Sequence, residues 1–289
     1  MKGLCFSGGG IKAASHIGAL KAFEEENIKF DCVAGASSGS IIAMMYALGY
    51  TSEQMWEMFK NFAPKIKYYQ WRQILKLIGG LIFKRQIVID GLNSGKIIEK
   101  IIEDICLKNK IININEIQMP VLISMVDIQT GTVYMASSKE IRNTLLDNVI
   151  YETNMPIAKA IRASCSYPVV FCPCKYNNIQ FIDGGTRENL PWKHLKKIGA
   201  DEVWGIVFNT VSSKKECCSN IIDVAARAME LQGRELSIYE KEGIDKLLTI
   251  DIKKITLLDV KKAEYLYYVG YEQAKKQIKK QIKKQIMYQ

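Results

Sequence analysis

Short apolar runs and longer stretches of helical spacing alternate along the chain. Residues 2–7 read as a strand, and three glycines separate it from a helix predicted from Lys12 to about Asn27. A second strand is expected at Phe30 to Ala34 (FDCVA), then the small-residue stretch GASSG, then a helix (SIIAMMYALG) closed by Gly49. Thr51 is placed to cap a further helix beginning SEQMWEMF, with Glu53 and Glu57 near its positive end. MPVLISMVDI (119–128) and GTVYMAS (131–137) read as two strands around a turn at Gln129-Thr130-Gly131. PIAKAIRASCSYP reads as a helix ended by Pro168, NIQFIDGG as a strand entering a glycine turn, and DEVWGIVFN as another strand. From Asn220 onward helix dominates. Strands alternating with helices imply an α/β fold with a largely parallel, helix-covered sheet. No internal linker rich in Pro, Gly or Ser interrupts the pattern. The expectation is therefore one domain over 1–270 and a C-terminal tail over 271–289.

Composition adds little to this, but charge placement adds more. The 289 residues are 48% hydrophobic with a net charge of +10, and a chain of that length builds a core without disulfides. Met1 and Lys2 lead straight into GLCF rather than a secretory leader, so the eight cysteines are expected as reduced thiols in the cytoplasm. Cys172 and Cys174, with Cys165 nearby, are too weak a pattern for a metal site. Six lysines (Lys275, Lys276, Lys279, Lys280, Lys283, Lys284) follow Glu272 with no acid among them. Between Met58 and Ile89 lie seven cations and again no acid. These two stretches exceed the total, so the rest of the chain is mildly acidic. Clustered charge of one sign points to an anionic partner.

Three glycine-bearing turns carry the candidate chemistry. SGGGIK (7–12) lies between a strand and a helix, where free N–H groups at a helix start stabilise a phosphate or an oxyanion. Gly8 to Ala13 also fits the dinucleotide pattern G-x-G-x-x-A, but the acid that pattern requires, Asp31, falls near the start of its strand. GASSG fits G-x-S-x-G in a strand–turn–helix context, which makes Ser37 a candidate nucleophile; tight packing of small residues is the plainer alternative. Of the two histidines, His16 lies inside the first helix and is expected to pack or hydrogen-bond beneath the glycine loop. His194, beside lysines in LPWKHLKK, is expected at the surface. Asp183 ends the strand QFID before two glycines, which brings a carboxylate to the sheet edge; an Asp-Gly turn former is the alternative there.

GGGIK, GASSG and DGG, in that order on an α/β chain, resemble the patatin-like phospholipases, lipid acyl hydrolases with a Ser–Asp dyad. The resemblance runs from Lys2 to about Pro191 and includes HIGAL, MPVLISMVDIQTG and AIRASCSYPVVFCP. It departs at Ala13, where the family often has glycine. The resemblance implies a three-layer α/β/α fold with a central, mostly parallel sheet, here followed by a helical C-terminal region. It implies Ser37 as nucleophile, Asp183 as base, and the N–H groups of Gly9 and Gly10, with Gly8 and Ser38 as further candidates, as the oxyanion hole. Lys12 becomes a candidate phosphate contact. The implied activity is phospholipase A-type hydrolysis of acyl esters without cofactor or metal.

An unperturbed carboxylate is a poor base at neutral pH, so such a dyad calls for desolvation under an apolar cover. PKIKYYQWRQILKLIGGLIFKR mixes aromatics, aliphatics and cations as an interfacial segment does, with Tyr68, Trp71, Arg72, Lys76, Lys84 and Arg85 as candidate membrane contacts. A core-packing helix pair broken at Gly79-Gly80 is the alternative. In the tail, Ile278, Ile282 and Ile286 form a thin stripe among the six lysines; it reads either as an anionic-membrane contact or as a frayed, solvated helix end. The longest uninterrupted apolar stretches, IIAMMYAL and LIGGLIF, fall far short of the roughly 20 residues needed to span a bilayer. The expected protein is peripheral on a membrane, with phospholipid as substrate and no nucleic-acid partner. A dinucleotide- or phosphate-binding protein using GGGIK, and a non-catalytic membrane module, are the competing readings.

Overall fold

The computed structural model describes residues 1–67, 69–141, 148–211, 218, 221–253, 255 and 259–287. Strand β1 (Lys2–Phe6) leads through the glycine loop to α1 (Ala13–Glu25). β2 (Cys32–Ala36) then leads directly into α2 (Ser38–Ala47). α3 (Ser52–Phe62) starts on a capping box in which Thr51 and Gln54 satisfy each other's N–H groups. α4 (Trp71–Gly79) continues into a π-turn at Gly80–Lys84, and α5 (Lys96–Lys108) follows. Next come β3 (Val121–Asp127), β4 (Val133–Ser137), β5 (Val149–Glu152) and α6 (Ile157–Ser164). The hairpin β6 (Cys174–Tyr176) and β7 (Ile179–Asp183) precedes α7 (Trp192–Lys197). β8 (Glu202–Val211), α8 (Ile221–Glu240), β9 (Lys246–Lys253) and α9 (Ala263–Met287) complete the order.

The sheet runs β5-β4-β3-β2-β1-β8-β9, with β3, β2, β1, β8 and β9 mutually parallel and β4 antiparallel to β3. β1 and β2 are buried almost throughout, as a central parallel sheet covered on both faces requires. One face carries the larger core, filled from α1, α2, α3, α5, α6 and α9. The other carries a smaller core that includes Leu195 and Trp192 of α7. This is the mostly parallel, helix-flanked sheet with a C-terminal helix expected from the sequence.

Three local differences have physical causes. β2 lies two residues later than FDCVA suggested, so Gly35 and Ala36 are strand and Ser37 follows at once. β9 occupies the region read as helical; Leu248, Ile250 and Ile252 are fully buried at alternating positions in a strand that the surrounding helical composition obscures. α6 ends at Ser164 rather than running to Pro168, because proline disfavours helical backbone in the residue before it.

The C-terminal lysines belong to a helix that is continuous across 270/271. α9 packs along α1 with Leu266, Ala274 and Ile278 fully buried, and Lys275 and Lys279 reach Glu25 and Glu26 at 2.8 and 3.8 Å. The two helices meet at glycines. A Cβ on Gly18 would lie 2.0 Å from Tyr267 O, and one on Gly270 would lie 2.1 Å from Ser15 O. The Ser15 hydroxyl donates to Leu266 O at 2.8 Å in the same contact. Ile278 therefore faces core, not solvent. Lys276, Lys280 and Lys283 remain exposed, and the Lys284 side chain and Tyr68 lie outside the described residues.

Candidate active site

β3 brings two distant turns together. Along one edge of β3, β2 pairs in parallel as far as Ala36↔Ser124, and β7 pairs antiparallel with the next residues, ending at Met125↔Asp183. Ser37 follows Ala36, and Asp183 is the last residue of β7. The two strands thus end at consecutive positions of β3, and the serine and the aspartate converge there.

Ser37 stands at φ 50, ψ −130, backbone that a non-glycine residue adopts only under constraint. Its surroundings supply that constraint. The Ser37 N–H donates to the buried Ser164 hydroxyl at 2.8 Å, and Ser40 Oγ donates to Ser37 O at 2.5 Å. A Cβ on Gly35 would come within 2.5 Å of Gly39 backbone, and one on Gly39 within 2.5 Å of Phe6 O. Both flanking glycines of GASSG are required because β1, the turn and the start of α2 are in backbone contact.

Asp183 is 2% exposed. Its Oδ1 accepts from Gly185 N at 2.8 Å, and Oδ2 has no hydrogen-bond partner. Burial pushes the carboxyl up to about 7; the nearby Ser37 hydroxyl and the Gly185 N–H oppose that rise only in part. The serine is thus close enough to favour the carboxylate, though the two are not aligned in a formed hydrogen bond. Gly184 lies against Ser124, where any Cβ would collide with backbone at 2.4 Å.

The glycine loop closes the third side. A Cβ on Gly8 would lie 2.8 Å from Ser37 Cβ, so the loop rests against the serine. Gly10 has φ 59, and Gly9 packs on the Phe208 ring of β8. Gly8 N–H donates to Asn189 Oδ1 at 2.9 Å, while the N–H groups of Gly9 and Gly10 meet no acceptor among the described residues. Ser38 begins α2 and its buried hydroxyl has no partner. Lys12 is half-buried, its pKa lowered by desolvation against the attraction of Glu230 on α8. Glu230 also acts on Tyr167, as Asp183 does. No residue of α8 with a described side chain is fully buried.

His16 behaves as the sequence suggested. It is fully buried, donates from Nε2 to Ser7 O at 2.8 Å, and is pushed down to about 4 by burial, hence neutral at pH 7. His194 is a correction: it is 4% exposed, not superficial. Its Nε2 lies 2.8 Å from Glu188 and its Nδ1 2.6 Å from the Tyr151 hydroxyl, so both ring nitrogens are engaged away from Ser37. The lysines of α7 reach solvent while the histidine between them turns inward. Cys165, Cys172 and Cys174 are buried thiols whose pKa values are raised by desolvation. No group of His, Cys, Asp or Glu able to hold a metal occurs among the described residues. Asp31 accepts from Lys2 N at 2.7 Å, at the end of β1 opposite the glycine loop, which leaves the dinucleotide reading without its ribose contact.

Two contributors have no motif of their own. Ser164, at the end of α6, accepts the N–H of Ser37. Asn189 links the loops: its side chain accepts from Gly8 N and sits where a Cβ on Gly185 would fall. Its own N–H donates to the half-buried Glu240 of α8, whose carboxyl desolvation raises to about 7. Only the register of β7 against β3 makes these positions legible.

The chain is similar to known proteins in sequence and in fold. A sequence model of patatin-like phospholipases matches residues 4–196. Lysophospholipase NTE1 of Meyerozyma guilliermondii is 26% identical over 302 residues, covering 94% of this chain but only 19% of that protein. Uncharacterized protein R571 of Acanthamoeba polyphaga mimivirus is 27% identical and matches along 96% of this chain and 93% of its own length. Among solved structures, VipD from Legionella pneumophila superposes with a TM-score of 0.55 at 16% identity, over 96% of this chain and 67% of VipD. No helix among the described residues is long and apolar enough to cross a membrane.

Proposed function

Because the chain belongs to the patatin-like phospholipase family, a family of lipid hydrolases, we propose that it is a phospholipase A-type acyl hydrolase working through a Ser37–Asp183 dyad. The observation that carries this reading is the convergence on β3: a strained serine directly follows β2 and a desolvated carboxyl ends β7, where the two strands stop at consecutive positions of β3. A carboxyl at about 7 is matched to general-base work near neutral pH.

The steps follow from the groups present. Ser37 Oγ attacks the ester carbonyl as Asp183 Oδ2, otherwise unpartnered, takes the hydroxyl proton. The N–H groups of Gly9 and Gly10 hold the oxyanion; that of Gly8 becomes available only when Asn189 releases it. Asp183 returns the proton to the departing lysolipid alcohol, leaving an acyl-Ser37. Water, deprotonated by Asp183, then cleaves this ester to the fatty acid and restores the serine. Lys12, half-buried at the loop, is the candidate contact for the phosphate of the substrate.

The test is mass spectrometry of products from a mixed lipid extract, wild type against Ser37→Ala, with fluorophosphonate labelling of the serine. Release of fatty acid and lysolipid by wild type alone supports the proposal. Lysolipid release that persists in Ser37→Ala, or no labelling at residue 37, refutes the dyad.

A further inference from the structure

We propose that residues 70–92 are the element that seats this hydrolase on an anionic bilayer, a claim that rests on the lipid-hydrolase reading for its purpose but not for its geometry. The segment is an excursion with a closed neck: Gln70 N donates to Leu92 O at 2.9 Å, and Asn93 Nδ2 donates to Lys67 O at 2.6 Å. Between these points lie α4 and its π-turn, and no residue of α4 is buried. Trp71, Leu75, Ile78 and Ile82 recur at spacings of four, three and four, so they form one helical stripe, and they are 47–72% exposed. Phe83 at the tip is 86% exposed. An apolar stripe of this size left to water marks an interaction surface.

Charge decides what the surface meets. Arg72, Lys76, Lys84 and Arg85 are all exposed around the stripe, and the nearest acids in sequence are Glu57 and Asp90. A protein partner with an apolar groove requires no such single-sign fringe, whereas an anionic lipid surface offers both an apolar interior and a negative margin. The lysines of α9 are the weaker candidate. Lys275 and Lys279 already face Glu25 and Glu26, and Ile278 is buried against α1.

The placement also serves the reaction. Leu92 N donates to Val169 O, Asn93 N to Val170 O, and Cys172 N to Asn93 O. The neck is thereby stitched to the loop after α6, and within that loop Ser166 O accepts from Asp183 N at 3.1 Å. The bilayer-seated excursion and the catalytic base hang from the same loop.

The experiment uses the full chain with phosphatidylcholine vesicles, with and without phosphatidylserine, read by co-sedimentation and by quenching of Trp71 with brominated lipid. Hydrolysis is followed in parallel on vesicle phospholipid and on a short-chain soluble ester. Trp71→Ser, Ile82→Ser and Phe83→Ser combined should lower vesicle affinity and vesicle hydrolysis at least tenfold, with the soluble-ester rate unchanged. Lys84→Glu with Arg85→Glu should remove most of the gain given by phosphatidylserine, about fivefold per charge neutralised. Unaltered vesicle binding by the triple variant, or unquenched Trp71, overturns the proposal and leaves the stripe to a protein partner. If wild type hydrolyses neither ester, the hydrolase reading fails while the binding measurements still decide the docking.

Discussion

Asp183→Asn should inactivate the protein and stabilise it, the second effect appearing only as the pH rises. Asp183 is fully buried, and its carboxyl is pushed from 3.8 up to about 7 chiefly by desolvation. At about 1.4 kcal/mol per pH unit, keeping it ionised in the fold costs about 4 kcal/mol, a large share of the roughly 5–15 kcal/mol that stabilises a domain. The folded chain holds this proton up to about pH 7, whereas the unfolded chain releases it near 4. Between those values the folded state binds more protons, so this contribution to stability declines as pH rises and is exhausted above 7. Asparagine keeps the acceptor for Gly185 N and never ionises. Urea unfolding of wild type and Asp183→Asn from pH 4 to 9 should show the variant's advantage growing by about 1.4 kcal/mol per unit and levelling above 7. Over the same range, wild-type kcat/KM on a soluble ester should climb about tenfold per unit and level at that point. A stability difference that is flat with pH, or that favours wild type more as pH rises, refutes the argument from burial.

Two further outcomes bear on other parts of the structure. His194→Gln should lower the ester rate by less than about tenfold, against the roughly 10²–10⁴ that loss of a general base costs; a larger fall with intact circular dichroism would make His194 the base instead of Asp183. Gly270→Ala forces a Cβ against Ser15 backbone, so it should destabilise by about 1–3 kcal/mol or more in urea unfolding, while the neighbouring exposed Tyr268→Ala should stay within about 0.5 kcal/mol.

The glycines of GGG, GASSG and DGG were legible because close backbone approach leaves glycine no substitute, and three such turns in order identify the family. Thr51 was legible because its cap is local chemistry. What stayed hidden was pairing across distance. Nothing near Asn189 marks it as the partner of Gly8, 181 residues away. Nothing near Ser164 marks it as the support of Ser37, and the meeting of β2 with β7 on β3 is a matter of register. His194 was misplaced for a related reason: its neighbours in sequence are lysines, but a six-residue helix turns one face inward whatever flanks it. The tail's lysines suggested a free segment because their acids, Glu25 and Glu26, sit on the first helix.

β1 carries the glycine loop and lies between β2 and β8. The loop leans on the far partner: Ser7 N donates to Ile206 O, and Gly9 rests on Phe208. In chain order Ser37 and Asp183 come first, and the support behind the glycine loop is missing until residues 202–211 are made. Until then β1 is an open edge. A chain cut short after α7 would hold Ser37 and Asp183 while its glycine loop lacked the contacts to Ile206 and Phe208 that brace it.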